Sequence, residues 1–214
     1  GLYLQYLTGA IVTGNTISLK TSNDFYSRAA FISNVEGNWQ FTQNRLSGGT
    51  YYGLYFDYCN ASASEPALIA NNFIQSTDNQ YTFYSLRNSH QQIYHNNLNA
   101  TGGVTAFYYD GYATSGNKVI NNSIKADNGH AVYVSNSSGL EEMDYNNLFT
   151  SAANLARWGN TYPGDLSDWQ TTSEKDANSL SFDPQYASNT DLYASSPALA
   201  NAGTPLAKIT SDID

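Results

Sequence analysis

One short motif, an asparagine followed by any residue and then by isoleucine or leucine, recurs six times along the chain. The asparagines of the six copies are Asn15, Asn44, Asn72, Asn96, Asn122 and Asn146, and successive copies lie 24 to 29 residues apart. A repeat of this length constrains the fold strongly, because each unit can bury its apolar side chains only against its neighbours. The chain is therefore predicted to be a solenoid.

Two apolar columns accompany the asparagine in all six units. Three positions before it lie Val12, Phe41, Ile69, Ile93, Val119 and Met143, and two positions after it lie Ile17, Leu46, Ile74, Leu98, Ile124 and Leu148. Apolar residues at a spacing of two are typical of strands, so each unit is predicted to hold a strand, a sharp corner and a second strand. Helical repeats such as TPR have a different period, and leucine-rich repeats need more leucines at fixed offsets.

A further strand is predicted upstream in each unit. The triplets are Leu2-Tyr3-Leu4, Ala30-Phe31-Ile32, Leu54-Tyr55-Phe56, Thr82-Phe83-Tyr84, Ala106-Phe107-Tyr108 and Val132-Tyr133-Val134, and the fourth can also be placed at Tyr84-Ser85-Leu86. Short strands joined by polar turns predict an all-β, right-handed parallel β-helix of about six rungs over residues 1–150. Residues 151–214 are predicted to cap the last rung within the same domain, because an uncovered solenoid end exposes strand edges.

The asparagine column has a mechanical explanation. Asparagine tolerates the left-handed backbone conformation that a sharp corner needs, and stacked asparagine side chains can hydrogen-bond from rung to rung. The alternative is a ligand-binding role. We favour the ladder, because a binding site seldom repeats once per rung.

The rungs resemble the parallel β-helix repeats of the pectate-lyase-like superfamily. The tail stretches Asp183-Pro184 and Ser196-Pro197-Ala198-Leu199 resemble the endings of many secreted bacterial β-helix proteins. This resemblance implies a secreted or cell-surface bacterial protein. It leaves function open, because the superfamily holds lyases, hydrolases, epimerases, adhesins and binding modules. Since Gly1 opens directly in strand-like sequence, we also expect the chain to be covalently linked to other domains of a larger protein.

The charge of the chain excludes some partners. The net charge is −9 and the nine basic residues are scattered singly. Nucleic acid is therefore not expected to bind, because phosphate neutralisation needs clustered lysine and arginine. Polyanionic sugars are disfavoured for the same reason unless a cation bridges the charges. No stretch is long and apolar enough to span a membrane. The single cysteine, Cys59, cannot form an internal disulfide and is expected to be a small buried hydrophobe.

The resemblance also implies what a catalytic site would need. Pectate-lyase-like enzymes use carboxylates that hold Ca²⁺ together with a basic residue, and β-helix hydrolases use two or three aspartates on neighbouring rungs. Asp57 and Asp110 follow the upstream strands of the third and fifth rungs, with Arg87 between them. Carboxylates two rungs apart lie about 10 Å apart, which misses the usual pair geometry. No catalytic residue is assigned, and the chain is interpreted as more consistent with a binding protein than with an enzyme.

No metal site or cofactor is predicted. His90, His95 and His130 lack the spacing of a zinc site. The acidic patch of Glu141, Glu142 and Asp144 could bind Ca²⁺, but a solvated face explains it more simply.

The upstream strands carry the functional prediction. If the flanking apolar residues of each triplet point inward, its central residue points outward, and this gives the column Tyr3, Phe31, Tyr55, Phe83 or Ser85, Phe107 and Tyr133. Aromatic rings with polar groups beside them are typical of sugar-binding surfaces. The predicted ligand-binding residues are Tyr3, Phe31, Tyr55, Asp57, Arg87, Phe107, Tyr109, Asp110 and Tyr133. Three alternatives remain for the stripe: a self-stacking ladder, a stripe covered by loops, or the opposite register with the rings inside.

The sequence thus favours a non-catalytic carbohydrate-binding module that recognises a neutral polysaccharide, such as the plant cell-wall β-glycan xylan. One alternative is a polysaccharide lyase or glycoside hydrolase of the β-helix type. The other is a structural or adhesin β-helix spacer. Exposure of the aromatic residues would separate a binding stripe from a core.

Overall fold

The computed structural model describes residues 1–20, 26–77, 80–102 and 105–209. Within these ranges the chain forms nineteen strands, one α-helix and one short 3-10 helix. The strands build three parallel sheets that stack as a β-helix of about six turns. The predicted all-β parallel β-helix is therefore confirmed.

Each turn of the coil contributes one strand to each sheet. The first sheet contains β1 (Leu2–Thr8), β4 (Arg28–Glu36), β7 (Tyr52–Asp57), β10 (Tyr81–Leu86), β13 (Thr105–Asp110), β16 (His130–Asn136) and β19 (Ala156–Trp158). The second sheet contains β2 (Ile11–Thr13), β5 (Gln40–Thr42), β8 (Ala67–Ala70), β11 (Gln91–Tyr94), β14 (Asn117–Ile120) and β17 (Leu140–Asp144). The third sheet contains β3 (Thr16–Ser18), β6 (Arg45–Gly49), β9 (Phe73–Ser76), β12 (Asn97–Ala100), β15 (Ser123–Ala126) and β18 (Asn147–Thr150).

The two apolar columns meet in register inside the coil. Phe41 pairs with Ile69 between β5 and β8, and Leu46 pairs with Ile74 between β6 and β9. All four side chains are buried. Cys59 is buried with them, as expected. Because each rung covers the apolar residues of the next, the core is a continuous stack with no single centre.

The asparagine ladder forms at the corner between the second and third sheets. Asn72 donates from Nδ2 to Oδ1 of Asn96 at 2.8 Å, and Asn96 donates in the same way to Asn122 at 3.0 Å. From Asn15 to Asn122, the backbone N–H of each asparagine also donates to the next Oδ1, as Asn96 does to Asn122 at 2.9 Å. These amides therefore satisfy one another along the buried corner, which agrees with the mechanical explanation.

The left-handed residue at this corner is not the ladder asparagine. Positive φ falls on the residue before each one, namely Gly14, Gln43, Asn71, His95, Asn121 and Tyr145. The expectation that asparagine itself adopts this conformation was wrong. The turn is made one position earlier, and this leaves the asparagine side chain pointing inward to its neighbours.

A buried carboxylate ends the ladder at the C-terminal end. Asp176 accepts hydrogen bonds from Asn146 Nδ2 at 2.9 Å, from Ser179 Oγ at 2.6 Å and from Trp169 Nε1 at 2.7 Å. Trp169 is fully buried and belongs to helix α1 (Leu166–Ser173), which begins at the N-cap residue Asp165. The helix and Asp176 together cover the last rung.

The tail does more than cover the last rung, because it runs back along the third sheet. Tyr186 Oη donates to the carbonyl of Ser123 at 2.8 Å, and Leu192 is fully buried against Phe73. A short 3-10 helix, Pro197–Leu199, follows. Among the described residues no helix is long and apolar enough to cross a membrane.

Candidate functional site

The outer face of the first sheet carries a column of six aromatic residues in register. Its members are Tyr3, Phe31, Tyr55, Tyr84, Tyr108 and Tyr133, which we call the aromatic column. The first five rings stack with centroid distances of 4.5 to 5.0 Å, and the last pair meets edge to face at 5.0 Å. The parallel strands set this spacing, because one rung advances the coil by about 4.8 Å.

The structure corrects the predicted column in the fourth and fifth rungs. Phe83 and Phe107 are fully buried, and Ser85 is buried as well. Phe107 pairs with Phe83, which pairs with the core residue Leu54, so both phenylalanines belong to the interior. The outward residues are instead Tyr84 and its neighbour in the next rung, Tyr108. A phenol can keep its hydroxyl in water while its ring is covered, whereas phenylalanine has no polar group to leave outside.

Tyr109 also points inward, which contradicts its prediction as a ligand-binding residue on the exposed face. Only 1% of its surface is exposed. Its hydroxyl donates to the carbonyl of Ser138 at 3.0 Å and accepts from Asn117 Nδ2 at 2.9 Å. Because both hydrogen-bonding partners lie within the fold, Phe107 and Tyr109 are core residues.

A second row of tyrosines widens the aromatic surface, and the sequence analysis missed it. Tyr52 and Tyr81 pair across β7 and β10 with their rings stacked at 6.0 Å. Tyr52 also lies 4.9 Å from Tyr84, and Tyr81 lies 4.6 Å from Tyr108, as ring centroids. Each lies three positions before a column residue in the sequence. That offset is the signal that could have revealed the row.

Two arginines lie against the ends of this surface. The Arg28 guanidinium lies 5.1 Å from the ring centroid of Phe31, and the Arg157 guanidinium lies 4.3 Å from that of Tyr133. Within the described residues neither guanidinium forms a salt bridge. Both cations are held by aromatic rings, an interaction worth about 0.5–2 kcal/mol in general.

The polar edge of the surface is formed where β7 and β10 end. Arg87 donates from Nε and Nη2 to the two carboxylate oxygens of Asp57, at 3.0 and 2.7 Å. It also donates from Nη1 to the Tyr58 hydroxyl at 2.7 Å, and its guanidinium lies 3.9 Å from the Tyr58 ring centroid. Such bidentate pairing fixes both side chains, and Asp57 is only 8% exposed.

The structure brings Asp57 together with Arg87 but not with Asp110. Leu86 pairs with both aspartates from opposite sides, so the two carboxylates lie two rungs apart. Asp110 instead accepts from the backbone N–H of Tyr112 at 3.1 Å and from the Tyr108 hydroxyl at 3.4 Å. Within the described residues no group of three or more His, Cys, Asp or Glu side chains could hold a metal ion.

The tyrosine hydroxyls of this surface are neutral hydrogen-bonding groups. Burial raises the pKa of Tyr55 to about 12, with the neighbouring Asp57 carboxylate adding to the rise. Burial, together with the nearby Tyr108, raises the pKa of Tyr81 to about 12. The pKa values of Tyr52, Tyr84 and Tyr108 are raised as well, mainly by burial. These phenols remain protonated near neutral pH and can both donate and accept.

The exposed parts of the surface are ring edges and flanking tyrosines. Within the column each ring covers the face of the next, so the inner rings present edges and hydroxyls outward. The flanking residues are more open: Tyr26 and Tyr112 are 69% exposed, and Tyr162, beside His130, is 50% exposed. The arrangement can therefore offer hydroxyls along the column and exposed tyrosine rings at its borders.

A scan against protein-family models, a search of curated proteins and a search of solved structures each return no match to this chain. The assignment of a function therefore rests on the aromatic surface and its polar edge.

Proposed function

We propose that the chain is a non-catalytic carbohydrate-binding module that recognises a neutral polysaccharide, such as the plant cell-wall β-glycan xylan. The observation that supports this proposal is the in-register aromatic column with its row of neutral phenol hydroxyls. Aromatic side chains that face solvent and end in a polar hydroxyl are suited to ligands that have both apolar C–H faces and hydroxyl groups. A ligand that repeats regularly matches a surface that repeats once per rung.

The geometry also indicates how such a ligand would be held. Since the inner rings of the column cover one another, a sugar would meet their edges and hydroxyls rather than their faces. Stacking on a ring face would fall to the flanking residues Tyr112 and Tyr162. The Asp57–Arg87 pair would supply a rigid charged edge for sugar hydroxyls.

We further propose that the protein belongs to the pectate-lyase-like superfamily and works as a secreted or cell-surface bacterial protein joined to other domains. The rung motif and the two tail stretches support this proposal. Asp183 of the first stretch accepts a hydrogen bond from Lys125 Nζ at 3.1 Å and so helps to hold the tail on the third sheet.

Affinity electrophoresis tests the binding function. We expect the native chain to be retarded in gels that contain xylan or another neutral β-glycan. The exchanges Tyr112→Ala and Tyr162→Ala should each weaken the retardation several-fold, because each removes an exposed ring beside the column. Phe182→Ala is the matched control, since Phe182 is an exposed aromatic residue that contacts Asn147 on the third sheet. Absence of retardation on every neutral glycan tested would refute the proposal.

A structural or adhesin β-helix spacer is the second candidate, and the stacking of the column rings on one another favours it. Under this function the tyrosines stabilise the coil and no sugar is needed. It would be supported if the two tyrosine exchanges changed no glycan binding. The polysaccharide lyase or glycosidase has no comparable support, because Arg87 engages both carboxylate oxygens of Asp57.

A further inference from the structure

Arg157 continues the aromatic column by one rung at its C-terminal end. It pairs in register with Tyr133, so the parallel strands place its side chain on the same outer face of the sheet. Its guanidinium lies 4.3 Å from the ring centroid of Tyr133 and 5.2 Å from that of Tyr162, and its Nε donates to the carbonyl of Gly159 at 2.9 Å. Two rings and a backbone carbonyl therefore fix the orientation of this planar cation.

The two terminal nitrogens of this guanidinium are not used by the fold. Within the described residues, Nη1 and Nη2 of Arg157 have no hydrogen-bond partner, and the side chain forms no salt bridge. Neither nitrogen is buried, so both can be reached from solvent. The free edge of the guanidinium presents N–H groups in the fixed fork that suits a planar anion.

A free guanidinium stands out in a chain with 18 acidic and 9 basic residues. Two of the other three arginines have a carboxylate partner, since Arg87 lies 2.7 Å from Asp57 and Arg45 lies 3.9 Å from Asp191. The last, Arg28, has four aromatic rings around its guanidinium, with centroids at 5.1 to 5.9 Å. Arg157 is therefore the arginine best placed to receive an acidic group from a ligand.

We propose, on the basis of the glycan-binding function above, that Arg157 forms a subsite for one carboxylate, carried by a uronic acid branch on an otherwise neutral glycan backbone. The two oxygens of a carboxylate can accept from Nη1 and Nη2 at the same time. Because Tyr133 and Tyr162 already hold the guanidinium in place, little side-chain freedom is lost when the ligand binds.

The charge of the chain sets how densely the ligand can carry carboxylates. With a net charge of −9, the protein repels a glycan that has an acid on every sugar unit. The six residues of the aromatic column supply rings and hydroxyls to the backbone but no cation. A sparse acidic branch brings a single charge to a single guanidinium. The subsite therefore selects occasional branches on a neutral backbone.

Isothermal titration calorimetry on the full 214-residue chain tests the subsite with two xylo-oligosaccharides of equal length. One is unbranched, and the other carries a single glucuronic acid branch. We expect the native chain to bind the branched ligand about three- to tenfold more tightly, as for a partly exposed, charge-assisted hydrogen-bonded pair. Arg157→Gln should bring the ratio of the two affinities to about one, because it removes the cation.

Arg45→Gln is the matched control, since it removes a guanidinium from the third sheet and should keep the native ratio of affinities.

The ligand supplies a second measurement that does not depend on the folding of a variant. Methyl esterification of the glucuronic acid removes its charge and changes its shape little. The native chain should therefore bind the ester about as tightly as the unbranched ligand. Its preference for the free acid should also fall as the salt concentration rises, because salt screens charges near the surface.

Three results would overturn the subsite. Equal affinity of the native chain for the branched and unbranched ligands would do so while leaving the glycan-binding function standing. A preference that survives Arg157→Gln, or one that survives esterification, would show that another group or the shape of the branch is recognised. Binding of neither oligosaccharide would overturn the subsite together with the binding of xylan.

Discussion

Asp176 shows how one residue can close a repetitive structure. Every ladder asparagine needs an acceptor for its side-chain amide, and the last one, Asn146, has no further rung to supply it. Asp176 provides this acceptor and also binds Ser179 and Trp169. Burial raises the pKa of the Asp176 carboxyl above its ordinary value, with the nearby Asp144 carboxylate adding to the rise and the three hydrogen bonds opposing it. The ladder therefore ends at a group whose ionisation opposes folding.

This raised pKa makes stability depend on pH. The folded chain holds the Asp176 proton more tightly than the unfolded chain, in which aspartate has a pKa of about 3.9. The protonated Asp176 carboxyl therefore contributes to the free energy of unfolding. This contribution is fully present below the pKa of the unfolded chain and is lost as the pH rises through the pKa of the folded chain. We expect Asp176→Asn to remove this part of the pH dependence, as measured by urea unfolding across a series of pH values.

The exposed residue Glu65 provides the control for this experiment. Glu65→Gln removes one carboxylate as well, but it should leave the slope of unfolding free energy against pH close to that of the native chain. An Asp176→Asn profile that parallels the native profile would show that the pKa of the Asp176 carboxyl is the same in the folded and the unfolded chain.

The two faces of the first sheet carry different sets of side chains. Its inner face holds core residues such as Phe83 and Phe107, and its outer face holds the aromatic column. Parallel pairing in register places equivalent residues one rung apart, so a single aromatic position per rung becomes a stack of rings. The outer surface of the sheet is therefore ordered by side-chain packing as well as by backbone hydrogen bonds.

Interrupting the column at its centre should destabilise the coil. The Tyr84 ring lies between Tyr55 at 5.0 Å and Tyr108 at 4.5 Å, so Tyr84→Ala removes two stacked pairs. Each such pair is worth about 0.5–1.5 kcal/mol, and we expect a loss of about 1–3 kcal/mol in the free energy of unfolding.

Tyr84→Phe is the matched control, because it keeps the ring and removes only the hydroxyl. In chemical denaturation, the free energy of unfolding of Tyr84→Phe should lie within about 0.5 kcal/mol of that of the native chain, as for most surface substitutions. Equal losses for the two variants would mean that ring stacking does not stabilise the column.

At the scale of the whole molecule, the C-terminal tail joins distant rungs. It leaves the last rung, contacts Ser123 through Tyr186, and reaches Phe73 through Leu192. Asn97 Nδ2 donates to the Leu192 carbonyl at 2.7 Å. In a solenoid each rung otherwise touches only its neighbours, so a tail that spans several rungs couples their unfolding.

Leu192 is the apolar anchor of this coupling. Leu192→Ala should lower the free energy of unfolding by about 2–3 kcal/mol. This value lies toward the lower end of the range for buried leucines, because the site lies between the tail and the sheet. We expect limited proteolysis to cut the tail, within residues 180–209, before it cuts the coil. Leu7→Ala is the control, since Leu7 is 40% exposed. Simultaneous cleavage of tail and coil would contradict this role.

The sequence by itself determined the period of the coil, the two apolar columns and the asparagine ladder. These features could be predicted because each rung places the same residue types in the same surroundings, so one local rule applies six times. It did not determine the outward register in the rungs where aromatic residues follow one another directly. Phe83-Tyr84 and Phe107-Tyr108 fit a strand in either orientation, and only the pairing with neighbouring rungs decides which ring is inside.

The remaining features depend on contacts between residues far apart in the chain, which only the tertiary structure decided. Asp176 accepts a hydrogen bond from Asn146, which lies 30 residues earlier in the chain. The Leu192 carbonyl accepts one from Asn97, which lies 95 residues earlier. Arg87 meets Asp57 because parallel pairing lays one strand end beside another. A periodic sequence specifies the contacts that repeat, because neighbouring rungs supply them. Contacts that occur once follow from the path of the chain, and no periodic pattern encodes them.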